Sequence, residues 1–272
     1  FPSIHSIIAT AIPLNQRNRT VSFITSGTSI GSALSIMLVP AVPYNMAPVV
    51  VGALALLWYL LWKFTGFKRA SSNILRSTGN KKHRGTPWKA LLRTPAVWAI
   101  MVNSFTLHYA VFLLMSWLPT FYEQKLGLDH NSHKLYKMLP YIVMTVSANI
   151  VGVLADKLIA LGVEITLTRK LLNTFGFSGT VCALLTLPTC ETALSAAAVS
   201  SLALGSLALA RGGYAVNHMD IAPRLSGILM GIGNTAGSAA GVVGPWLTGL
   251  ILETSDDPWV FAFQVPSVLI VG

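Results

Sequence analysis

Residues 20–40, 45–66, 96–118, 136–155, 171–188, 193–216 and 225–252 are seven apolar stretches. Each is long enough to cross a bilayer, which takes about 20 residues of helix. The lipid interior offers backbone amides no hydrogen-bond partner, so segments of this kind must satisfy themselves as helices. Composition agrees with a membrane setting: 10% of residues are charged, 53% are hydrophobic and the mean hydropathy is +0.63. A soluble domain carries about 25% charged residues. The expected fold class is an all-α polytopic membrane protein, integral and multi-pass.

Two shorter apolar pieces flank these spans, Phe1 to Ile12 and Trp259 to Gly272. The sequence opens on Phe, without the basic segment that begins a signal peptide. The simplest expectation is a fragment cut at both ends.

Basic residues set the topology. Arg17 and Arg19 fall in the first loop, and Lys63, Lys68, Arg69, Arg76, Lys81, Lys82, Arg84, Lys89 and Arg93 in the long connection after residue 62. Lys157, Arg169, Lys170 and Arg224 occupy alternate later loops, whereas Lys125, Lys134 and Lys137 are alone on the other side. The positive-inside rule puts the basic loops in the cytoplasm or its organellar equivalent. The net charge of +10 therefore reflects loops in contact with a lipid bilayer, and nucleic acid is not an expected partner. The basic linker also divides the chain: residues 1–66 as the remainder of an N-terminal helical bundle, 67–95 as linker, and 96–272 as a C-terminal bundle. Two bundles joined by a long loop is a transporter plan.

Arg211 lies inside the apolar run from Ser195 to Val216. A fixed charge at membrane depth faces a cavity, pairs with a carboxylate or snorkels to an interface. The first reading makes it an anion-binding group. Tyr214 and His218 follow at three and seven residues, giving one helical stripe. His5, Asn103, Ser104, His108, Asn149 and Asn234 are further polar groups in or near spans; the expected substrate-binding set is Arg211, Tyr214, His218, His108, Asn234 and His5. Lone His or Asn residues in such helices also serve simply as interhelical hydrogen-bonding groups. Gly27 and Gly31, and Gly227, Gly231, Gly233, Gly237 and Gly241, form small-residue ridges suited to close helix packing.

No zinc-protease, nucleophile-elbow or P-loop pattern is present, so an enzyme is not expected. Cys182 and Cys190 read as free thiols rather than metal ligands. No cofactor is expected, and Na+ or H+ stays open as a coupling ion.

Four segments carry a resemblance. Gly152-Val-Leu-Ala-Asp156-Lys157 followed by Arg169-Lys170 resembles the cytoplasmic loop motif of the major facilitator superfamily. A carboxylate near a helix end there can pair with a basic residue and latch bundles in one state. Asn217-His218-Met219-Asp220-Ile221-Ala222-Pro223-Arg224, with Gly227-Ile-Leu-Met-Gly231 and Gly233-Asn-Thr-Ala-Gly237, resembles the signature of its anion–cation symporter family. Phe1-Pro-Ser-Ile-His5 is similar to the family's fourth helix, and Trp117-Leu-Pro-Thr-Phe-Tyr122 to its plant-type branch.

The resemblance implies a major facilitator fold from the end of helix 4 to the start of helix 12. It implies secondary transport of a small anion, such as phosphate, ascorbate or a glutamate-like species, by alternating access. Gly152, Asp156, Lys157, Arg169, Lys170, Asn217, Asp220 and Arg224 are the gating positions it marks. Such a fragment is expected to be inactive alone. A seven-helix receptor and a transport-inactive truncated product are the alternatives. Plant-type motifs point to a plastid or endomembrane; the anion, the coupling ion and the oligomeric state stay open.

Overall fold

The computed structural model describes residues 2–38, 42–43, 45–65, 86–128 and 134–271. Every regular element among them is helical. We number the α-helices α1 (Pro2–Ala11), α2 (Arg17–Leu38), α3 (Ala47–Thr65), α4 (Trp88–Arg93), α5 (Pro95–Gln124) and α6 (Lys134–Ala160). The series continues with α7 (Ile165–Thr186), α8 (Ala193–Tyr214), α9 (Asn217–Ile221), α10 (Ser226–Thr254) and α11 (Pro258–Val271).

Local chemistry explains the boundaries. Pro13 and the 3-10 turn Leu14–Gln16 separate α1 from α2, because proline cannot donate to a continuing helix. α6 stops at Gly162, whose φ of +89° is open to glycine and strained for other residues. There Val163 N donates to Leu158 O at 3.0 Å, closing the helix end. Thr192 caps α8 by accepting from Ser195 N at 3.2 Å, and the Ser195 hydroxyl accepts from Thr192 N in return.

Among the described residues, six helical segments are long and apolar enough to cross a membrane: Ala47–Phe64, Pro95–Gln124, Leu135–Ala160, Ile165–Thr189, Ala193–Ile221 and Pro223–Thr254. The first predicted span, 20–40, differs. It forms the 22-residue helix α2, but Thr20, Ser22, Thr25, Ser26, Thr28, Ser29, Ser32 and Ser35 make it too polar to rank with the others. Thr20, Thr25, Ser26 and Ser32 donate to carbonyls three or four residues back, so these hydroxyls sit in a helix without orphaned protons.

The chain forms two units. Residues 37–93 make one, containing α3 and α4; the apolar side chains of α3, among them Trp58, Leu61 and Trp62, are exposed. The proposed linker 67–95 lies largely outside the described residues, and its last part folds as α4. Residues 1–36 with 94–272 make the other unit. In it α8 is the central helix, packed on α6 and α7, while α10 packs on α5 and α1. Leu113, Leu114, Leu184, Leu204 and Leu207 are fully buried between them. Phe121, Trp259 and Phe263 close one end, with the Phe121 ring edge-on to the other two at 5.2 and 5.5 Å.

Glycine sets the closest approaches. A Cβ on Gly237 would lie 2.7 Å from His108 Nδ1, and one on Gly241 2.9 Å from the Phe112 ring. The ridge Gly233, Gly237, Gly241 thus seats α10 against α5. Among the described residues, a Cβ on Gly27 or Gly31 would meet nothing within 4 Å.

Candidate functional site

A cavity of about 200 Å³ opens inside the larger unit. α2 turns Thr25, Thr28, Ser29 and Ser32 toward it, at the i, i+3, i+4, i+7 spacing of one helical face. α5 contributes Ser104, His108 and Phe112; α8 contributes Arg211 and Tyr214; α10 contributes Met230 and Asn234. His5 of α1 and His218 of α9 complete one wall. All six residues of the expected binding set line this one space. Asn103 and Asn149 do not; the Asn149 side chain donates to Thr145 O at 2.9 Å, within its own helix.

Arg211, Tyr214 and His218 reach the cavity differently from the expected single stripe. α8 ends at Tyr214, and Ala215 and Val216 turn the chain before α9 begins. Among the described residues the Arg211 side chain has no hydrogen-bond or ion-pair partner, and no Asp or Glu lines the cavity. Its charge is therefore not consumed by packing against a carboxylate.

The polar groups around it are fixed. Ser104 Oγ donates to Gly233 O at 2.7 Å, across from α5 to α10. His108 Nδ1 donates to Ser104 O at 2.7 Å, which holds the ring in one tautomer and leaves Nε2 as acceptor. His5 Nδ1 and His218 Nε2 are 2.6 Å apart, and both residues are 1% exposed.

A second polar cluster lies at the end that carries the basic loops. Asp156 of α6 sits at the N-terminus of α2: Oδ1 accepts from Asn18 N at 3.2 Å and Asn18 Nδ2 at 2.7 Å, and Oδ2 accepts from Arg19 N at 3.0 Å. These backbone amides belong to the first helical turn and have no partner within the helix. A carboxylate there also meets the positive end of the helix dipole. Gly152, one turn earlier, lets α6 come this close, since a Cβ would stand 2.6 Å from Ser22 Oγ.

Arg169 of α7 links this cap to α9. Its Nη1 donates to Asn18 Oδ1 at 2.5 Å and to Gly212 O at 3.4 Å, while Nε and Nη2 donate to Asp220 Oδ2 at 3.3 and 2.9 Å. Arg17 reaches the same carboxylate at 3.7 Å and donates to Ala9 O and Ile12 O, capping the end of α1. The expected gating set divides accordingly. Gly152, Asp156, Arg169 and Asp220 meet in this cluster; Lys157, Lys170 and Arg224 are exposed and outside it; Asn217 is half-buried nearby in sequence only. Among the described residues Asp156 pairs with no basic side chain. Arg17, read from the sequence as a loop charge, is instead the buried first residue of α2.

A narrow cleft of about 10 Å³ runs between the two clusters, lined by Asn18, Ser22, Arg211 and Gly212 among others. It has room for about one water.

The profile of the Major Facilitator Superfamily matches residues 1–245. The chain belongs to the major facilitator superfamily. It falls in the anion–cation symporter branch, as its relatives indicate. It is 43% identical to "Probable anion transporter 6" of Oryza sativa subsp. japonica, over 100% of this chain and 69% of that protein. It is 34% identical to the "Ascorbate transporter, chloroplastic" of Arabidopsis thaliana, over 99% of this chain and 52% of that protein. It is 30% identical to the "Sodium-dependent phosphate transport protein 1, chloroplastic" of the same plant, over 99% of this chain and 56% of that protein. This major facilitator protein is an integral multi-pass membrane protein and not an enzyme, and the family excludes the seven-helix receptor reading.

Sequence reasoning missed Thr25, Thr28, Ser29 and Ser32. Their helical spacing was the available signal. It also missed Asn18, whose partners Asp156 and Arg169 lie more than 130 residues away, and it read Arg17 as a loop charge without its contact to Asp220.

Proposed function

We propose that this major facilitator protein is a secondary transporter of small inorganic or organic anions, with the substrate held in the central cavity against Arg211. The carrying observation is a fixed cation without an acidic partner among the described residues, in a cavity that no carboxylate lines. Such a site favours one negative charge by Coulomb attraction, strengthened where water is excluded. Hydroxyls of α2, the Tyr214 phenol, His108 and Asn234 supply neutral hydrogen-bonding groups around that charge. The names of relatives, an ascorbate transporter and a phosphate transport protein among them, support the anion class. Several relatives are chloroplastic by name, which supports a plastid location.

The second cluster supports a reading of alternating access. The Asp156 cap and the Arg169–Asp220 pair tie α2 and α1 to α6, α7 and α9 at the basic-loop end. Breaking those ties frees the helices to part along the cleft behind Arg211.

The test is uptake of labelled phosphate, ascorbate and glutamate by the full-length protein in proteoliposomes, beside its Arg211→Ala variant. One anion should be taken up by wild type, with Arg211→Ala lowering uptake at least tenfold. Uptake that survives the substitution removes Arg211 from the site, and no uptake of any anion overturns the reading.

A further inference from the structure

We propose that His5 and His218 together form the proton-binding site that couples anion movement to a proton gradient; the proposal rests on the anion reading above. The two imidazoles meet nitrogen to nitrogen at 2.6 Å, with ring centroids 4.6 Å apart. They come from helices 213 residues apart in the chain, and both border the cavity that holds Arg211.

Proton bookkeeping explains why the pair suits this role. Two neutral imidazoles carry two N–H protons on four nitrogens. One proton lies in the bond between the rings, and the accepting ring holds the other on its outer nitrogen. The donating ring is left with a bare outer nitrogen. A third proton, taken from water, binds there and gives the pair a single positive charge shared across the short bond. No other bond forms or breaks.

The surroundings link that proton to the anion. The charges near the pair are Arg211 on α8, and Arg169 on α7 with Arg17 on α2, both of which engage Asp220 of α9. α1 itself has no other ionisable side chain, and the α10 residues against it have none; the 3-10 turn Pro223–Leu225 packed on α1 carries the exposed Arg224, while Tyr214 of α8 and His108 of α5 face the same cavity. A proton on the pair adds a second positive charge to a cavity already holding Arg211 and no carboxylate. An anion beside Arg211 offsets both. Anion and proton therefore favour each other's binding, and the linkage is reciprocal. A carrier that crosses loaded with both, or empty of both, is a proton–anion symporter.

The experiment uses the full-length protein in liposomes with the voltage clamped at zero. Labelled phosphate and labelled ascorbate are each followed in two modes: exchange at equal pH, and net accumulation under an inward gradient of one pH unit. A parallel arm replaces the proton gradient by a sodium gradient. One proton per anion predicts about tenfold accumulation of the transported anion, since each 1.4 kcal/mol is a factor of ten. His5→Asn and His218→Gln keep a hydrogen-bonding group at the contact but do not titrate. In both, accumulation should fall to equality across the membrane, whatever rate of exchange remains.

Accumulation unchanged in either variant overturns the proposal. So does wild-type accumulation that follows sodium and ignores the proton gradient. Variants that lose exchange as well show the pair to be structural support, which also overturns it. Wild type that exchanges neither anion removes the anion reading itself, and this proposal with it.

Discussion

At the scale of single residues, the Asp156 carboxylate shows what adjacency in sequence does and does not convey. Its motif neighbour Lys157 is one position along α6, about 100° around the helix, so the two side chains cannot face the same partner. Asp156 instead satisfies the first-turn amides of α2. Arg169 and Lys170 separate in the same way: one is buried among three acceptors, the other exposed. The guanidinium of Arg169 serves Asn18 Oδ1, Asp220 Oδ2 and Gly212 O through a planar fork that an ammonium cannot reproduce. Arg169→Lys should therefore fail to rescue what Arg169→Ala loses. Leaving Asp220 with only Arg17 at 3.7 Å costs about 3–5 kcal/mol, the range for a buried pair stripped of one partner. Thermal unfolding in detergent measures this; a lysine variant as stable as wild type shows the fork to be dispensable. The motif residues themselves were legible in the sequence. Their partners were not, because Asp156 to Asn18 and Arg169 to Asp220 are tertiary contacts with no local pattern.

At the scale of elements, spans α5 to α8 and α10 were legible because apolar length in a bilayer leaves few options. α2 was read as an apolar span over 20–40 and does form a helix, Arg17–Leu38, but its hydroxyls make it more polar than the other spans; Thr20 and Ser32 donate to carbonyls one turn back. The glycine ridges divide by context in a way that their spacing alone does not reveal. A methyl on Gly237 would press on the His108 ring, which is held to Ser104 O at 2.7 Å, whereas one on Gly31 meets nothing within 4 Å. Gly237→Ala should destabilise by roughly 1–3 kcal/mol through overpacking and displace His108. Gly31→Ala should leave stability equal or higher, as alanine favours the helix by about 0.5–1 kcal/mol. Paired melting curves of the two variants decide the matter, and equal losses would sink this account of the ridge.

At the scale of the whole molecule, the two polar clusters sit on either side of the cleft lined by both Asn18 and Arg211. Occupancy of the cavity and closure of the basic-loop end thus meet at one seam, with Gly212 O accepting from Arg169 beside the residue that carries the free charge. Asp156→Asn removes the charge that opposes the α2 dipole while keeping the side chain's shape. The loss of a carboxylate at a helix N-terminus is worth about 1 kcal/mol, and 1 kcal/mol shifts a two-state equilibrium about fivefold. A cysteine placed at Ser29 reports that shift, because Ser29 faces the cavity from α2. Its reaction with a membrane-impermeant maleimide, applied from the basic-loop side, should speed up several-fold in the Asp156→Asn background. Maleimide applied from the opposite side should react more slowly in the same background, since a two-state carrier open more often at one end is open less often at the other. Rates unchanged on both sides would mean that the cap on α2 holds the helix but does not govern access. Rates raised on both sides would mean that it holds the unit together rather than choosing between its states.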